Sequence, residues 1–434
     1  MEHLKKDVKQ LIGTLEASVS PYHAVAEGKK QLEAAGFSLL SQNTKWNLEK
    51  GKGYFLTPFG SSLIGFYIGE DTKVDDMLRI EAAHTDWPCL KIKSLPEKKS
   101  NGYLTLNVET YGGPILNTWL DRPLSIAGRV STRGKDMFAP DMHLVNFDKN
   151  LLTIPNLAIH MNREVNKGIE LNKQVDMLPI VGILKEKLNK DNWFMDLLAT
   201  ELKVATEDIL DYELYVYNRD PAEIIGIGED LLLAPRIDNI TSIQACLSGL
   251  INGKRKNGIN VIALFDNEEV GSKTKQGGDS TLLAMILEKL YLSLGYTRED
   301  YLSAVAGGMM LSVDVAHAIH PNHPEKTDIT NQIALNDGVA IKLSGNQKYA
   351  TDSEAIGILI QLCQAHNISY KKFANRSDMI GGSTLGSLTS SILPMKTIDL
   401  GVPILAMHSS RELMGVEDQV NLCFLLKVFF ELDK

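Results

Sequence analysis

The second half of the chain alternates short apolar runs with amphipathic segments, and this alternation limits the fold more than any other feature. Strands are predicted at 260–265, 309–315 and 403–407, and helices at 242–251, 281–294, 353–365 and 417–432. A Thr351-x-x-Glu354 capping box predicts the start of the third of these helices. Apolar strands alternating with helices are typical of a parallel sheet covered on both faces. We therefore predict an α/β fold with a mixed, mostly parallel sheet covered by helices.

The first half of the chain contains two regions with different sequence patterns. Near the N terminus, two helices are followed by strands at 54–59, 63–67 and 78–83. Residues 93–232 differ, because strand-like runs there are separated by Gly, Pro, Asn and Asp turn signals. We predict one discontinuous α/β domain, residues 1–92 and 233–434, interrupted by an inserted β-rich domain, residues 93–232.

Charge and cysteine usage exclude several classes of protein. The 434 residues include 45 Lys and Arg against 54 Asp and Glu, which gives a net charge of −9. Such a chain has no bulk attraction for nucleic acid or for an anionic membrane. The four cysteines form no C-x-x-C pair, which favours reduced thiols in the cytoplasm over a disulfide framework. No apolar run reaches about 18 residues, so no membrane span is expected.

Polar residues follow the predicted strands at the points where these strands end. In an open α/β sheet, ligands bind at the carboxyl ends of the strands, so these side chains are expected to meet at one edge. The residues concerned are His84, Asp86, Asp238, Glu268, Glu269, Asp314 and His408.

The spacing and the residue types of this set indicate a metal site. Ligands this far apart in sequence do not form a compact zinc-finger cage. Two His and three of these five carboxylates suit a pair of divalent ions bridged by one carboxylate, which together polarise a carbonyl and activate water. Each residue alone also has an ordinary interpretation: a loop histidine, a solvated glutamate, or an aspartate that caps a helix.

The adjacent glutamates are expected to divide two tasks. Neighbouring side chains on an extended segment point in different directions, so Glu268 and Glu269 cannot easily bind one ion together. One would be a ligand and the other a general base. Asp86, two residues after His84, is expected to orient the His84 ring by accepting its N–H.

The motifs around these candidate residues make the sequence resemble the M18 metallo-aminopeptidases. The motifs HTDWPCLKIK, SPYHAV, LLAPRIDNITS, FDNEEVGS, SVDVAHAIHPNHPEK, IKLSGNQKYAT and LAMHSSREL look like the signatures of that family. YGGPILNTWLDRPLSIAGRV and IPNLAIHMNREVN are similar to its aspartyl aminopeptidase branch. The resemblance extends from Ser20 to Glu412. It implies a metallopeptidase fold with an inserted dimerisation domain, and removal of the N-terminal residue from peptides, preferably Asp or Glu.

The resemblance also implies a role for each site residue. His84 and Asp314 would bind one ion, Glu269 and His408 the other, and Asp238 would bridge them. Glu268 would be the general base. The implied cofactors are two divalent ions, Zn most readily, although Mn and Co also accept mixed nitrogen and oxygen ligands.

The remaining implied residues contact substrate. Lys342 would pair with a substrate carboxylate, although alone it would be taken as a solvated strand lysine. His317 and Tyr349 occupy substrate-contacting positions. His160 would reach the active site of a neighbouring subunit, with direct metal ligation or a buried strand histidine as alternatives. The family forms dimers that build a tetrahedral dodecamer, which would restrict access to small peptides.

Two other functions remain open from sequence alone. One is a broad-specificity or neutral-residue aminopeptidase, or a deacylase or carboxypeptidase on a similar fold. The other is a non-catalytic oligomeric scaffold that binds peptides. Intact candidate ligands and an intact candidate base disfavour the scaffold.

Overall fold

The structure is a computed structural model, and it describes residues 5–168, 170–184, 191–379 and 381–433. The chain divides into two compact units. Unit 1 contains the segment ending at Asp86, the segment Ala222–Met407 and the segment beginning at Glu412. Unit 2 contains Trp87–Pro221 and His408–Arg411. These borders differ from the 92/93 and 232/233 predicted from the sequence, and the predicted insertion does not include residues 408–411.

Strands occur in both units and are numbered along the chain. They are β1 (Ser38–Leu39), β2 (Gly53–Leu56), β3 (Leu63–Ile68), β4 (Leu78–His84), β5 (Cys89–Ser100), β6 (Tyr103–Tyr111), β7 (Leu124–Asp136), β8 (Ala139–Asn146), β9 (Ile180–Ile183), β10 (Ile209–Asn218), β11 (Glu223–Ile225), β12 (Leu231–Ala234), β13 (Ile259–Phe265), β14 (Met309–Val313), β15 (Ala316–His317), β16 (Val339–Leu343), β17 (Tyr370–Ala374), β18 (Lys396–Gly401), β19 (Pro403–Leu405) and β20 (Glu412–Gly415).

The helices are numbered in the same way. They are α1 (Lys6–Ala17), α2 (Pro21–Ala34), α3 (Trp193–Leu202), α4 (Ile237–Asn252), α5 (Leu282–Ser293), α6 (Arg298–Gly307), α7 (Ser353–Ala365), α8 (Leu385–Ile392) and α9 (Val416–Glu431).

The main sheet of unit 1 has nine strands in the order β1-β2-β3-β13-β4-β14-β18-β16-β17. The central strands β13, β4, β14 and β18 run parallel, and β3 and β16 pair antiparallel with this group. Every residue of β3, β4, β13 and β14 is buried, as expected for strands covered on both faces. The predicted mixed, mostly parallel sheet is confirmed.

Alternate residues of β4 show how both faces of the sheet are covered. Leu78, Ile80 and Ala82 belong to a core formed with α5 and α6. On the opposite face, Arg79 donates to the backbone carbonyls of Phe429 and Leu432 near the end of α9, each at 2.7 Å. The helices α1, α2, α4 and α9 pack together on that second face.

Unit 1 also contains a smaller sheet, in the order β11-β12-β20-β19-β15. Unit 2 is built on a six-stranded antiparallel sheet, in the order β8-β7-β10-β5-β6-β9. It also carries helix α3, in which Phe194 is fully buried. None of the helices that the structure describes is both long and apolar enough to cross a membrane.

Two local expectations were wrong. The strand predicted to reach Phe59 ends at Leu56, because Pro58 cannot continue a ladder and opens a short 3-10 turn instead. The predicted capping box also fails, because the side chain of Asp352, not that of Thr351, accepts the N–H of Ala355.

Candidate metal centre

The parallel strands of unit 1 bring several predicted site residues to one edge of the sheet. Phe265, the last residue of β13, lies opposite His84, the last residue of β4. Asp314 directly follows β14, whose Ser312 pairs with Ala82. The carboxyl ends of these three strands therefore meet at one edge, as the sequence predicts.

His84 is oriented by one aspartate and faces two others. Its Nδ1 lies 3.0 Å from the backbone oxygen of Asp86 and 3.4 Å from Oδ1 of the same residue. Its Nε2 lies 3.5 Å from Oδ1 of Asp238 and 3.5 Å from Oδ1 of Asp314. The backbone oxygen of Asp86 can only accept, so Nδ1 carries a proton, and Nε2 is the nitrogen that would bind a metal ion in place of its own proton, the usual arrangement of a metal-binding histidine.

The negative surroundings control the protonation of His84. Burial by itself would lower the pKa of this imidazole, but hydrogen bonds with Asp314 and Asp86 and the charge of Glu268 raise the pKa well above its usual value. The negative charge of the surrounding carboxylates favours a positive charge at this place, either a proton on His84 or a bound metal ion.

Asp238 is placed by the backbone that leads into α4. The first turn of this helix is irregular at Asp238 and Asn239, and the peptide bond between them is cis. The N–H of Asp238 donates to Oε2 of Glu412 at 3.0 Å, and Nδ2 of Asn239 donates to the carbonyl of Val313 at 3.0 Å. These bonds fix the buried Asp238 beside β14.

Asp86 also holds the glutamate pair. Its Oδ1 accepts the backbone N–H of Glu268 and its Oδ2 accepts that of Glu269, both at 3.1 Å. One buried carboxylate thus orients the His84 ring and fixes the 3-10 turn Glu268–Val270 that follows β13. The pKa of Glu268 is raised to about 8: burial is the largest cause, and the charges of Asp314, Asp86 and Asp238 add to it against the lowering effect of His84.

Lys342 is buried and paired, so its interpretation as a solvated strand lysine is wrong. Its side chain is only 2% exposed, its Nζ lies 3.2 Å from Oδ2 of Asp314, and it lies over the ring of Tyr349 at 5.4 Å from the centroid. Burial opposes the charged form of Lys342, but the negative charge of Asp314 raises its pKa. In turn, burial would raise the pKa of Asp314, but Lys342 and His84 hold it well below its usual value.

The other predicted residues lie farther from this group or in unit 2. His317 ends β15, is exposed, and its ring lies 6.4 Å from that of Phe373. His160 is exposed in a turn of unit 2, so its interpretation as a buried strand histidine is wrong. His408 also belongs to unit 2, where its Nδ1 lies 3.2 Å from the carbonyl of Gly113.

Two groups of side chains in unit 1 fit a metal ion. Ligand atoms of His84, Asp238 and Asp314 all lie within 4.8 Å of one another, and so do those of His84, Glu268 and Glu269. Imidazole nitrogen with carboxylate oxygens is a donor set typical of zinc and related divalent ions. Such a cluster at the carboxyl edge of an open α/β sheet is the arrangement expected of a metal-dependent hydrolase.

Comparisons with known proteins identify the family. The sequence model of the family "Aminopeptidase I zinc metalloprotease (M18)" matches residues 14–430. The chain is 43% identical over 433 residues, all of both chains, to "Probable M18 family aminopeptidase 2" of Clostridium novyi. The chain belongs to the M18 family of zinc aminopeptidases, and it is therefore a metallo-exopeptidase that acts at the N terminus of its substrates.

Solved structures agree with this fold. The chain is similar to Ape4 in the structure of the Ape4 and Nbr1 complex, with 33% identity, a TM-score of 0.94, and coverage of 98% of this chain and 85% of the other. The mApe1 dodecamer of Saccharomyces cerevisiae, 24% identical, has a TM-score of 0.85 and coverage of 98% and 96%. The predicted family and fold class are confirmed.

The sequence did not predict two buried acids, Glu412 and Asp399, that interact with the site residues Asp238 and Lys342. Glu412, 2% exposed, accepts the N–H of Asp238, and Asp399 on β18 accepts the N–H of Ala350 at 2.6 Å and the hydroxyl of Thr384. Asp399 carries a negative charge close enough to act on Lys342. An aspartate between two apolar residues of a strand, as in the IDL of KTIDLG, was the available signal for Asp399.

Proposed function

We propose that this chain is a two-metal aminopeptidase that removes N-terminal Asp or Glu from small peptides. One observation carries the proposal: Nε2 of His84 faces Asp238 and Asp314, while Asp86 accepts from the opposite ring nitrogen. A histidine held in this way is prepared to bind metal without rearranging its ring.

Two ions require two sets of ligands that share one residue. We assign His84 and Asp314 to one ion, Glu269 and His408 to the other, and Asp238 to the bridging position. His408 directly follows Met407, the end of a unit 1 segment. Zinc is the expected metal, with Mn or Co as the alternatives. When bound, the ions supply Lewis acidity toward the scissile carbonyl and toward water.

Glu268 is assigned as the general base. Its backbone is fixed by Asp86. Glu268 and Glu269 lie in a 3-10 turn and not on the extended segment expected from the sequence, and a carboxylate oxygen of each lies within 4.8 Å of a ring nitrogen of His84. We give the ligand role to Glu269 and the proton-transfer role to Glu268. Its carboxylate accepts a proton from the attacking water and then delivers that proton to the nitrogen of the leaving amine. Asp86 contributes by positioning this loop and the His84 ring.

Preference for an acidic N-terminal residue is assigned to Lys342, with Tyr349 and His317 as further substrate contacts. The Lys342 ammonium is withdrawn from water, and a charge-assisted bond is stronger there than at a solvated surface. The phenol of Tyr349 is held by Nδ2 of Asn375 at 3.1 Å. A neutral-residue or broad-specificity enzyme is the alternative.

We further propose a cytoplasmic homo-oligomer, built from dimers into a tetrahedral dodecamer, in which His160 completes the site of a neighbouring subunit. Unit 2 presents large apolar side chains that are ordinarily buried between copies. Met137 and Phe138, at the tip of the β7–β8 hairpin, are each 94% exposed, and Met161, next to His160, is 74% exposed. A cytoplasmic location is supported by the four cysteines, all of them described, which form no disulfide.

The first experiment compares Glu268→Gln with the wild type on Asp, Glu, Leu, Ala and Lys amides, with metal content measured in parallel. A general base predicts a loss of about 100-fold or more in kcat with the metal retained. Full activity of the variant would contradict the assignment of Glu268. Chelator-sensitive cleavage that favours Leu or Ala would keep the mechanism and refute the acidic preference, and no cleavage with any metal would favour the scaffold.

A further inference from the structure

A small cavity lies beside the proposed substrate residues of unit 1. It measures about 240 Å³ and is enclosed by the segment that follows β15 and the segment that follows β17. His317 and Lys326 line it on one side, and Phe373, Asn375 and Arg376 line it on the other. Its size suits the end of one peptide residue rather than a whole ligand.

The lining of this cavity is basic, although the chain is acidic overall. No carboxylate occurs among the described lining residues, whereas the chain as a whole carries a net charge of −9. Two cations, Lys326 and Arg376, and two imidazoles, His317 and His320, face the space. An anion is therefore the ligand that this wall favours.

The two cations have different tasks. Arg376 donates to both carboxylate oxygens of Asp378, at 2.7 and 3.0 Å, and also to the carbonyl of Glu325, so it ties the two segments together. The ammonium of Lys326 forms neither a hydrogen bond nor an ion pair with the part of the chain that the structure describes. Lys326 is therefore the cation available to a ligand, and Arg376 is the residue that shapes the wall.

The cavity adjoins the proposed acidic-residue site but does not share its cation. Phe373 pairs with Lys342 in the register of β17 and β16, and its ring contacts that of His317. Asn375 reaches from the cavity wall to the phenol of Tyr349. Lys342 and Tyr349 themselves do not line the space. A second negative group of one peptide can thus be bound next to the first.

We propose that this cavity binds a carboxylate on the leaving-group side of the scissile bond, through Lys326. The inference rests on the proposed function, because it presupposes a bound peptide. The carboxylate has two possible sources: the C terminus of a short peptide, or an acidic side chain downstream of the cleaved bond. Both offer the same charge-assisted contact.

The test compares peptides that differ only in this carboxylate. The substrates are Asp-Ala-Ala, its C-terminal amide, and Asp-Ala-Asp-Ala amide, with aspartyl amide as the reference. For the wild type, we expect kcat/KM to be about 5–10 times higher with a downstream carboxylate than without one. Lys326→Gln should bring this ratio close to one, and Lys326→Glu should bring it below one.

The matched control is Lys372→Gln. Lys372 is exposed on β17 next to Phe373, and alternate residues of a strand point to opposite faces, so its charge lies away from the cavity. This variant should keep the wild-type ratio. Preference for Asp-Ala-Ala over its amide would identify the C terminus as the ligand, and preference for Asp-Ala-Asp-Ala amide would identify the side chain.

A binding measurement tests the proposed carboxylate contact without relying on catalytic turnover. Calorimetry with the Glu268→Gln variant should show tighter binding of Asp-Ala-Ala than of its amide, and adding Lys326→Gln should remove the difference. Equal ratios in wild type and Lys326→Gln, or an equal loss on all substrates, would overturn the inference. Failure to cleave aspartyl amide would instead refute the proposed function, and the inference would fail with it.

Discussion

Replacing Glu81 with Gln should change how stability depends on pH. Glu81 lies on β4, is completely buried, and neither of its carboxylate oxygens has a hydrogen-bond partner among the residues described. The position where a Cβ of Gly249 would lie is 2.9 Å from its Oε2, so α4 approaches this carboxyl closely. Burial raises the pKa of Glu81 well above 4.5. The folded protein therefore holds this group in its neutral form.

The sign of the effect follows from linkage. The unfolded chain releases the Glu81 proton near pH 4.5, whereas the folded chain retains it to a higher pH. The stabilising contribution is fully present below pH 4.5 and is lost as the pH rises toward the folded pKa. The loss is about 1.4 kcal/mol per pH unit in that interval. Gln does not titrate, so Glu81→Gln should lack this slope.

The assay is urea unfolding of both proteins at pH 5, 6 and 7, with protein and metal concentrations held constant. The unfolding free energy of the variant relative to the wild type should rise by about 1.4 kcal/mol for each pH unit. Glu201→Gln, at an exposed position of α3, is the control and should follow the wild type. Parallel curves for wild type and Glu81→Gln would refute a buried neutral carboxyl.

Three further predictions test the supports of the site and the assembly. Asp86→Asn should lower kcat by about 10–100-fold, measured with metal content, because an amide NH₂ group cannot accept a backbone N–H. Gly401→Ala should lower the melting temperature and the metal occupancy, since the added Cβ would lie 1.9 Å from the backbone oxygen of Asp314. The control is Gly13→Ala on α1, where an added Cβ meets no atom within 4 Å; it should stabilise the protein by up to about 1 kcal/mol. Replacing both Met137 and Phe138 with Ser should reduce the assembly size in light scattering while circular dichroism stays unchanged; an unchanged size would exclude this hairpin from the contacts between copies.

The sequence predicts which side chains of unit 1 meet at the sheet edge where one strong rule applies. Fully apolar runs such as INVIALF must be covered on both faces, and parallel strands share a carboxyl edge. These two facts are sufficient to bring His84, Asp314 and the Glu268 turn together. The orienting role expected for Asp86 also needed only its separation of two residues from His84. Local sequence and strand direction are thus enough to predict that these side chains meet.

The helix cap at Asp352 and the ion pair of Lys342 could not be predicted, because they depend on strand register and on contacts between distant segments. Thr351 and Asp352 are both good capping residues, and the choice was decided by the tertiary structure: the hydroxyl of Thr351 accepts the N–H of Asp399. Likewise, the sequence around Lys342 does not reveal that Asp314, 28 residues earlier, lies within 3.2 Å. Burial converts an ordinary lysine into a paired one, and burial is a property of the whole fold.

The backbone that leads into the site gives the deeper reason for this limit. Arg236, two residues before Asp238, has φ of 64°, and Asn267, directly before Glu268, has φ of 63°. Residues other than Gly rarely adopt this left-handed backbone conformation, and for Arg it costs about 1 kcal/mol or more. A strand that simply continued would carry its polar residue past the edge, whereas a left-handed turn redirects it toward the other strand ends. The sequence shows which residues follow the strands, but only packing elsewhere in the fold can sustain the strained turns that redirect them.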